Sequence, residues 1–281
     1  FYILVLHVLQ HDIYVQKEGL NDIMGQARIK MKRCGDICKF VEYEYPIWYG
    51  STGGKKVTKP NYITDDDGNV VWVDKETGEM LSVDEKKMDS RRQSTHRARN
   101  ELIDKINANF TSGDKFLTLT YDQKKIGGPM MDITKAKRHI NSFFKKLREN
   151  YPYFKYAYVI EFHKSGGIHF HVIMNTPFIR DKQVEKMWGR GFIKTKRISH
   201  VKNVGAYVVK YMTKDGVDER LIGKKLYQTS QNCKKPEWEY GVKARLELQR
   251  LEKKGKKESY TTSYETERNG VATHKEYNLN D

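Results

Sequence analysis

The sequence predicts an α+β fold, an antiparallel sheet with helices packed on one face and peripheral β-hairpins around it. Three observations carry this expectation. Short β-branched and aromatic runs recur at residues 116–121, 156–162, 168–174 and 192–198. Between the first two lies a basic stretch, residues 133–150, whose apolar Ile140, Phe143, Phe144 and Leu147 fall on one helical face. A second helical stretch at 181–188 and a third at 203–214 complete the order β-α-β-β-α-β-α. That order suits a split-βαβ, ferredoxin-like sheet.

The flanking elements follow from local signals. Residues 37–49 alternate apolar or aromatic with polar and read as a strand. Residues 62–83 read as a hairpin, with Val70-Val71-Trp72-Val73 between Asp-Gly and Thr-Gly turn signals. The acidic run Asp65-Asp66-Asp67-Gly68 has its glycine misplaced for a calcium loop and reads as a solvated turn. A helix over 89–109 carries Arg91, Arg92, His96, Arg97 and Arg99. Either a solvated face or a phosphate-contacting one, with Arg91, Arg92 and Arg97 on DNA, accounts for it. Residues 236–253 read as a charged helix, and 258–279 as a hairpin around Asn269-Gly270. The expected organisation is an N-terminal extension and hairpin region (1–87), a core (88–235) and a C-terminal helix and hairpin (236–281). Residues 1–23 read as an upstream extension or peripheral element. Their apolar run of about ten residues is too short to span a bilayer, so no membrane partner is expected.

Composition narrows the partner. Lys and Arg number 52 against 36 Asp and Glu, a formal net charge of +16 in 281 residues. Such an excess favours a polyanion, most often nucleic acid. The 38% hydrophobic and 12% aromatic content is enough for a packed core and excludes a disordered chain. Three cysteines, Cys34, Cys38 and Cys233, are too few and odd in number for a secreted disulfide scaffold. Cys34 and Cys38 lack a second ligand pair nearby, which argues against zinc. A reducing, cytoplasmic setting is expected.

The most informative stretch is Gly167-Ile168-His169-Phe170-His171-Val172-Ile173-Met174. On a strand His169 and His171 point to the same face, about 6–7 Å apart. A hairpin turn centred on Ser165 sets Glu161 opposite His169, within roughly 5 Å on that face. One carboxylate and two imidazoles can hold a divalent ion and leave positions open for water or a phosphate oxygen, as Mg²⁺ or Mn²⁺ would need. His163 lies at the turn and reads as a solvated residue. Downstream, Tyr207, Lys210, Tyr211 and Lys214 fall at i, i+3, i+4 and i+7 on one helical face. A phenol with pKa near 10 is a poor nucleophile unless a neighbouring ammonium favours the phenolate. Metal ligands, paired tyrosines and a basic chain together suggest DNA cleavage through a tyrosine.

These residues resemble the HUH endonuclease superfamily, and within it the rolling-circle replication initiators. Phe116-Leu117-Thr118-Leu119-Thr120-Tyr121 is similar to the first motif of that family, Glu161 with His169-Phe170-His171 to the second, and Tyr207-x-x-Lys210-Tyr211-x-x-Lys214-Asp215-Gly216 to the third. The paired tyrosines resemble those of the A protein of small isometric single-stranded DNA phages. Trp188-Gly189 and the stretch from Lys224 to Pro236 are similar to phage and plasmid members. The resemblance covers roughly residues 88–240. It implies an HUH core, Glu161, His169 and His171 as ligands of Mg²⁺ or Mn²⁺, and Tyr207 and Tyr211 as nucleophiles. Lys210 and Lys214 would assist them, and Thr118, Thr120 and Trp188 would lie near the DNA. Tyr211 is expected to make the first cut, because Lys214-Asp215-Gly216 follows it as in single-tyrosine relatives.

The implied activity is nicking and joining of single-stranded origin DNA of a phage, plasmid or integrated element, through a 5′-phosphotyrosine link. No Gly-x-x-x-x-Gly-Lys-Ser/Thr pattern occurs, so unwinding and synthesis would fall to a host helicase and polymerase. Two rivals share the superfamily, a mobilisation relaxase and a tyrosine transposase. A rival of another class is a non-catalytic nucleic-acid-binding protein. Charge alone yields one expectation: affinity for single-stranded DNA falls by roughly 10³-fold between about 50 and 200 mM salt if about six phosphates are neutralised. A titration by fluorescence anisotropy checks it, and a flat salt response rules out an electrostatic groove.

Overall fold

A computed structural model of the protein describes residues 25–49, 62–73, 78–163, 166–212, 225 and 227–281. The expectation for residues 1–23 lies outside the described residues, as does Lys214. The chain divides into two compact units, residues 52–102 and the remainder.

The larger unit holds two five-stranded antiparallel sheets. The first is built from β6 (Lys115–Thr120), β7 (Tyr156–Phe162), β8 (Ile168–Met174), β9 (Ile193–Lys196) and β10 (Tyr227–Thr229), in the order β10-β7-β8-β6-β9. Strand β8 is antiparallel to both β6 and β7, so it splits a parallel pair, as the sequence order predicts. Helix α3 (Ile133–Asn150) makes the crossover from β6 to β7. Asp132 caps it by accepting from the amides of Thr134 and Lys135 at 2.8 and 3.0 Å. Its buried stripe, Ile133, Ala136, Ile140, Phe143, Phe144 and Leu147, packs on Leu117, Leu119, Tyr158, Phe170 and Val172. Helix α4 (Asp181–Trp188) joins the same layer and ends at Gly189, whose φ of +64° is the left-handed C-cap that glycine adopts without strain. One short helical turn, α2 (Gln123–Ile126), follows β6.

The period-two alternation leaves the other face of this sheet to Phe116, Thr118, Glu161, His169 and His171. There the short helix α5 (Val204–Val209) lies, with Tyr207 against Phe116. The helices therefore do not all share one face. The predicted helix over 203–214 is also shorter than expected. It closes at Val209, and Tyr211 and Met212 continue in tighter i→i+3 turns onto Val208 and Val209.

The second sheet draws on both ends of the chain. Strands β1 (Gln26–Cys34), β2 (Ile37–Trp48), β11 (Trp238–Tyr240), β12 (Glu258–Thr266) and β13 (Gly270–Asn278) run in the order β11-β1-β2-β13-β12. Helix α6 (Gly241–Lys253) packs Ala244, Leu248 and Leu251 on Ile29, Met31 and Phe40. The first part of the predicted helix 236–253 is thus strand β11. It is captured by β1 as an edge strand, since Trp238 and Tyr240 suit a pleated surface. Cys34 and Cys38 are buried free thiols on this sheet. Burial holds the first at about 12 and the second at about 11, so neither is a ready metal ligand.

The smaller unit carries β3 (Tyr62–Thr64), β4 (Val70–Val73) and β5 (Met80–Ser82), a three-stranded meander in place of the predicted hairpin. The acidic turn is local. Asp65 accepts from the amides of Asp67 and Asn69 at 3.1 and 2.7 Å. Helix α1 (Val83–Asn107) begins in this unit with a reciprocal Ser82–Glu85 capping box. Arg92 and Arg97 are exposed there and Arg91 is half-buried.

One predicted DNA contact is corrected. Trp188 is fully buried in the core beneath the first sheet, packed on Tyr121, Phe143 and Phe170. Its indole N–H donates to the Thr120 carbonyl at 3.1 Å. An apolar ring with one satisfied donor is a core residue. Trp188→Ala should cost about 3–5 kcal/mol of stability, read as a lower denaturation midpoint. A selective loss of DNA affinity with unchanged stability would reverse this assignment.

Candidate active site

The site is built on the exposed side of β7, β8 and β6. The register places Glu161 opposite His169, as the hairpin argument predicts, and Thr118 and Val159 on either side of His171. The side chains then depart from the simplest expectation. Glu161 Oε2 meets His171 Nε2 at 2.5 Å, diagonally across the strand pair, while the His169 ring stacks near His163 at 5.4 Å. His171 Nδ1 lies 3.1 Å from Thr118 Oγ1, so both ring nitrogens have partners and the ring is fixed. Thr118 thus braces His171 beneath the site. Thr120 pairs with His169 at the end of β6. Burial holds both imidazoles below their ordinary pKa, so both are neutral near pH 7 despite the nearby Glu161.

No three His, Cys, Asp or Glu side chains among the described residues are disposed as a ready metal cage. The donor chemistry nonetheless fits a divalent cation. One carboxylate and two neutral imidazoles share a sheet face, and His171 is oriented by a hydroxyl on its far nitrogen. Turning the Glu161 carboxylate away from His171 would free both groups toward His169.

Tyr207 and Tyr211 come together over this face. The Tyr211 ring stacks on His171 at 3.9 Å between centroids, and on Phe116 at 5.6 Å. Tyr207 meets Phe116 edge-on at 5.4 Å. The Tyr211 hydroxyl donates to the Tyr207 hydroxyl at 3.3 Å. Lys210 Nζ stands 3.8 Å from the Tyr207 ring centroid and 5.2 Å from that of Tyr211. Lys196, which the sequence reading did not single out, brings a second ammonium 5.5 Å from the Tyr207 centroid. The two phenols diverge as a result. Desolvation raises Tyr207, but the Lys196 and Tyr211 hydrogen bonds and the charges of Lys196 and Lys210 outweigh it and leave it below its ordinary value. Desolvation, the bond given to Tyr207 and the Glu161 charge all push Tyr211 up.

A six-residue helix is too short to be stable alone. Asn203 caps α5 by accepting from Ala206 N at 2.9 Å, and Asn107, in the last turn of α1, donates to Asn203 and accepts from Gly205 N at 2.7 Å. Val204, Val208 and Val209 are buried beneath it. Gly205 is obligatory at this contact, because an added Cβ would lie 2.3 Å from the Ile103 carbonyl oxygen. Gly205→Ala should therefore destabilise the protein by about 1–3 kcal/mol and displace the tyrosines. Denaturation and the accessibility of Tyr207 to iodination would report both effects.

The predicted constellation is thus partly assembled. Glu161, His169, His171, Tyr207, Tyr211 and Lys210 share one region. Arg91, Arg92 and Arg97 belong to the smaller unit and are described there alone. Among the described residues no helix is long and apolar enough to cross a membrane. No curated protein and no solved structure matches the chain. Residues 114–216, the segment that runs from β6 through both tyrosines, match the sequence profile of the replication-associated protein ORF2 family, which supports a Rep-type role in DNA replication.

Proposed function

We propose that this chain nicks and rejoins single-stranded origin DNA through a 5′-phosphotyrosine link, and so initiates rolling-circle replication. The observation that carries the reading is the stacking of Tyr211 on His171, with Tyr207 hydrogen-bonded beside it, on the face that presents Glu161 and His169. The family match over residues 114–216 supports it independently.

Glu161, His169 and His171 would hold a Mg²⁺ or Mn²⁺ ion. When bound, such an ion supplies Lewis-acid polarisation of the scissile phosphate. Thr118 holds His171 in one ring orientation. A tyrosine oxygen forms a bond to phosphorus, the bond from phosphorus to O3′ breaks, and the phenol's proton ends on the 3′ oxygen. The product is a 5′ end on tyrosine and a free 3′ hydroxyl, and the reverse attack by a 3′ hydroxyl rejoins the strand without ATP. Lys210 and the aromatic rings lining the face would grip and stack the strand. Cytoplasmic replication with a host helicase and polymerase fits this chemistry.

The decisive experiment incubates the protein with single-stranded DNA from its own element and maps covalent adducts by mass spectrometry. An adduct on Tyr207 or Tyr211 is expected, and Tyr207→Phe with Tyr211→Phe should give none. His169→Ala with His171→Ala should lower nicking by more than the roughly 10–100-fold that a lost outer-shell partner gives, with the circular-dichroism spectrum unchanged. Full activity of that variant in chelator-treated buffer refutes the metal role. Tight DNA binding without any adduct leaves a non-catalytic binding protein.

A further inference from the structure

We propose that Lys196 on β9 makes Tyr207, rather than Tyr211, the first nucleophile, with Tyr211 serving at that stage as its hydrogen-bond donor. This inference rests on the nicking reading above and adds a residue from outside the three motifs.

The argument starts from strand register. Strand β9 is the edge of the first sheet and pairs with β6, setting Lys196 opposite Phe116 and Lys194 opposite Thr118. Directly paired residues share a face, so Lys196 stands on the same side as Phe116, Thr118 and His171. Phe116 is the floor on which both tyrosine rings rest. Lys196 therefore approaches Tyr207 from the side opposite the Glu161 strand, while Lys210 approaches from its own turn.

The two phenols are unequal for three independent reasons. Tyr207 has two ammonium neighbours, at 5.5 and 3.8 Å from its ring centroid, whereas the nearest to Tyr211 is at 5.2 Å. Tyr207 accepts the hydrogen bond between the two and Tyr211 donates it, so negative charge on the Tyr207 oxygen gains a donor and charge on Tyr211 would lose one. Tyr211 is pinned by stacking on His171 at 3.9 Å. The lowered Tyr207 phenol agrees with this ordering.

In the step itself the Tyr207 phenolate oxygen bonds to phosphorus and the bond to O3′ breaks. The proton that left the phenol ends on the 3′ hydroxyl, and Lys196 stays protonated throughout. Tyr211 then remains free for the second cut, when Tyr207 carries the first 5′ end.

The test is single-turnover cleavage of single-stranded DNA from the protein's own element, at saturating DNA and across a pH series, with adducts mapped by mass spectrometry. In the wild-type chain the earliest adduct should be on Tyr207. In a Tyr211→Phe background, Lys196→Gln should slow adduct formation at neutral pH by at least about tenfold, the size a lost neighbouring charge gives. It should also move the rising limb of the rate–pH profile to higher pH. The sign follows from phenolate being the reactive form, since losing a cation raises the pH at which it accumulates. Lys196→Arg keeps the charge and should keep the limb in place. An unshifted limb with only more DNA needed for saturation overturns the proposal, because Lys196 would then merely grip phosphate. A first adduct on Tyr211 overturns it while leaving the nicking reading intact. No adduct on either tyrosine overturns the nicking reading itself.

Discussion

The two-residue repeat of the strands β7, β8 and β6 is the constraint on which the site depends. Leu117, Leu119, Phe170, Val172, Tyr158 and Ile160 point into the core under α3 and α4. Their neighbours Thr118, His171, His169 and Glu161 are thereby forced onto the other face. A slip of one residue in any pairing would exchange the two sets and drive imidazoles into the core. Register is further pinned at the end of β6. There Trp188 bonds the Thr120 carbonyl, and Gly191 passes so close that a Cβ would lie 2.3 Å from the same oxygen. The hydrophobic core thus aims the polar site without contributing to its chemistry.

The last turn of α1 is the second organising element. Asn107 ties it to the tyrosine helix, and Gly205 lets the two backbones meet. One turn earlier, Asp104 bonds Lys32 and Lys39 of the second sheet, and Lys39 also bonds Glu276. These charges are largely shielded from water, so removing one partner leaves another buried and unpaired, a change that costs about 3–5 kcal/mol. A single helical turn therefore links the sheet formed by the chain's two ends to the segment that carries Tyr207. The position of that phenol depends on strands far from it in sequence.

The electrostatics of the site follow the same layout. Glu161 lies on the β7 side and Lys196 on the β9 side, with His171 and the tyrosines between them. A field of that sense favours a neutral phenol nearer the carboxylate and charge on the phenol nearer the lysines. It also suits a strand of DNA whose phosphates approach from the lysine side.

Much of this was legible in the sequence. The bounds of α3, β7, β8 and α4 follow from periodicity, caps and turns, because those signals act between residues a few positions apart. The Glu161–His169 pairing follows from hairpin symmetry for the same reason. The tyrosine pair is visible as a motif, although the helix beneath it is shorter than its pattern suggests. What only the tertiary structure decided involves distant partners. Strands β1, β2, β12 and β13 close one sheet from opposite ends of the chain, and β11 was drawn out of a helical pattern by β1. Trp188 went to the core because Tyr121, Phe143 and Phe170 enclose it. Glu161 chose His171 over the residue opposite it, and Lys196 reached Tyr207, through side-chain geometry that register alone leaves open. Local periodicity determines what each segment becomes. Pairing between remote segments, set by burial and by which polar groups must be satisfied, determines what each side chain meets.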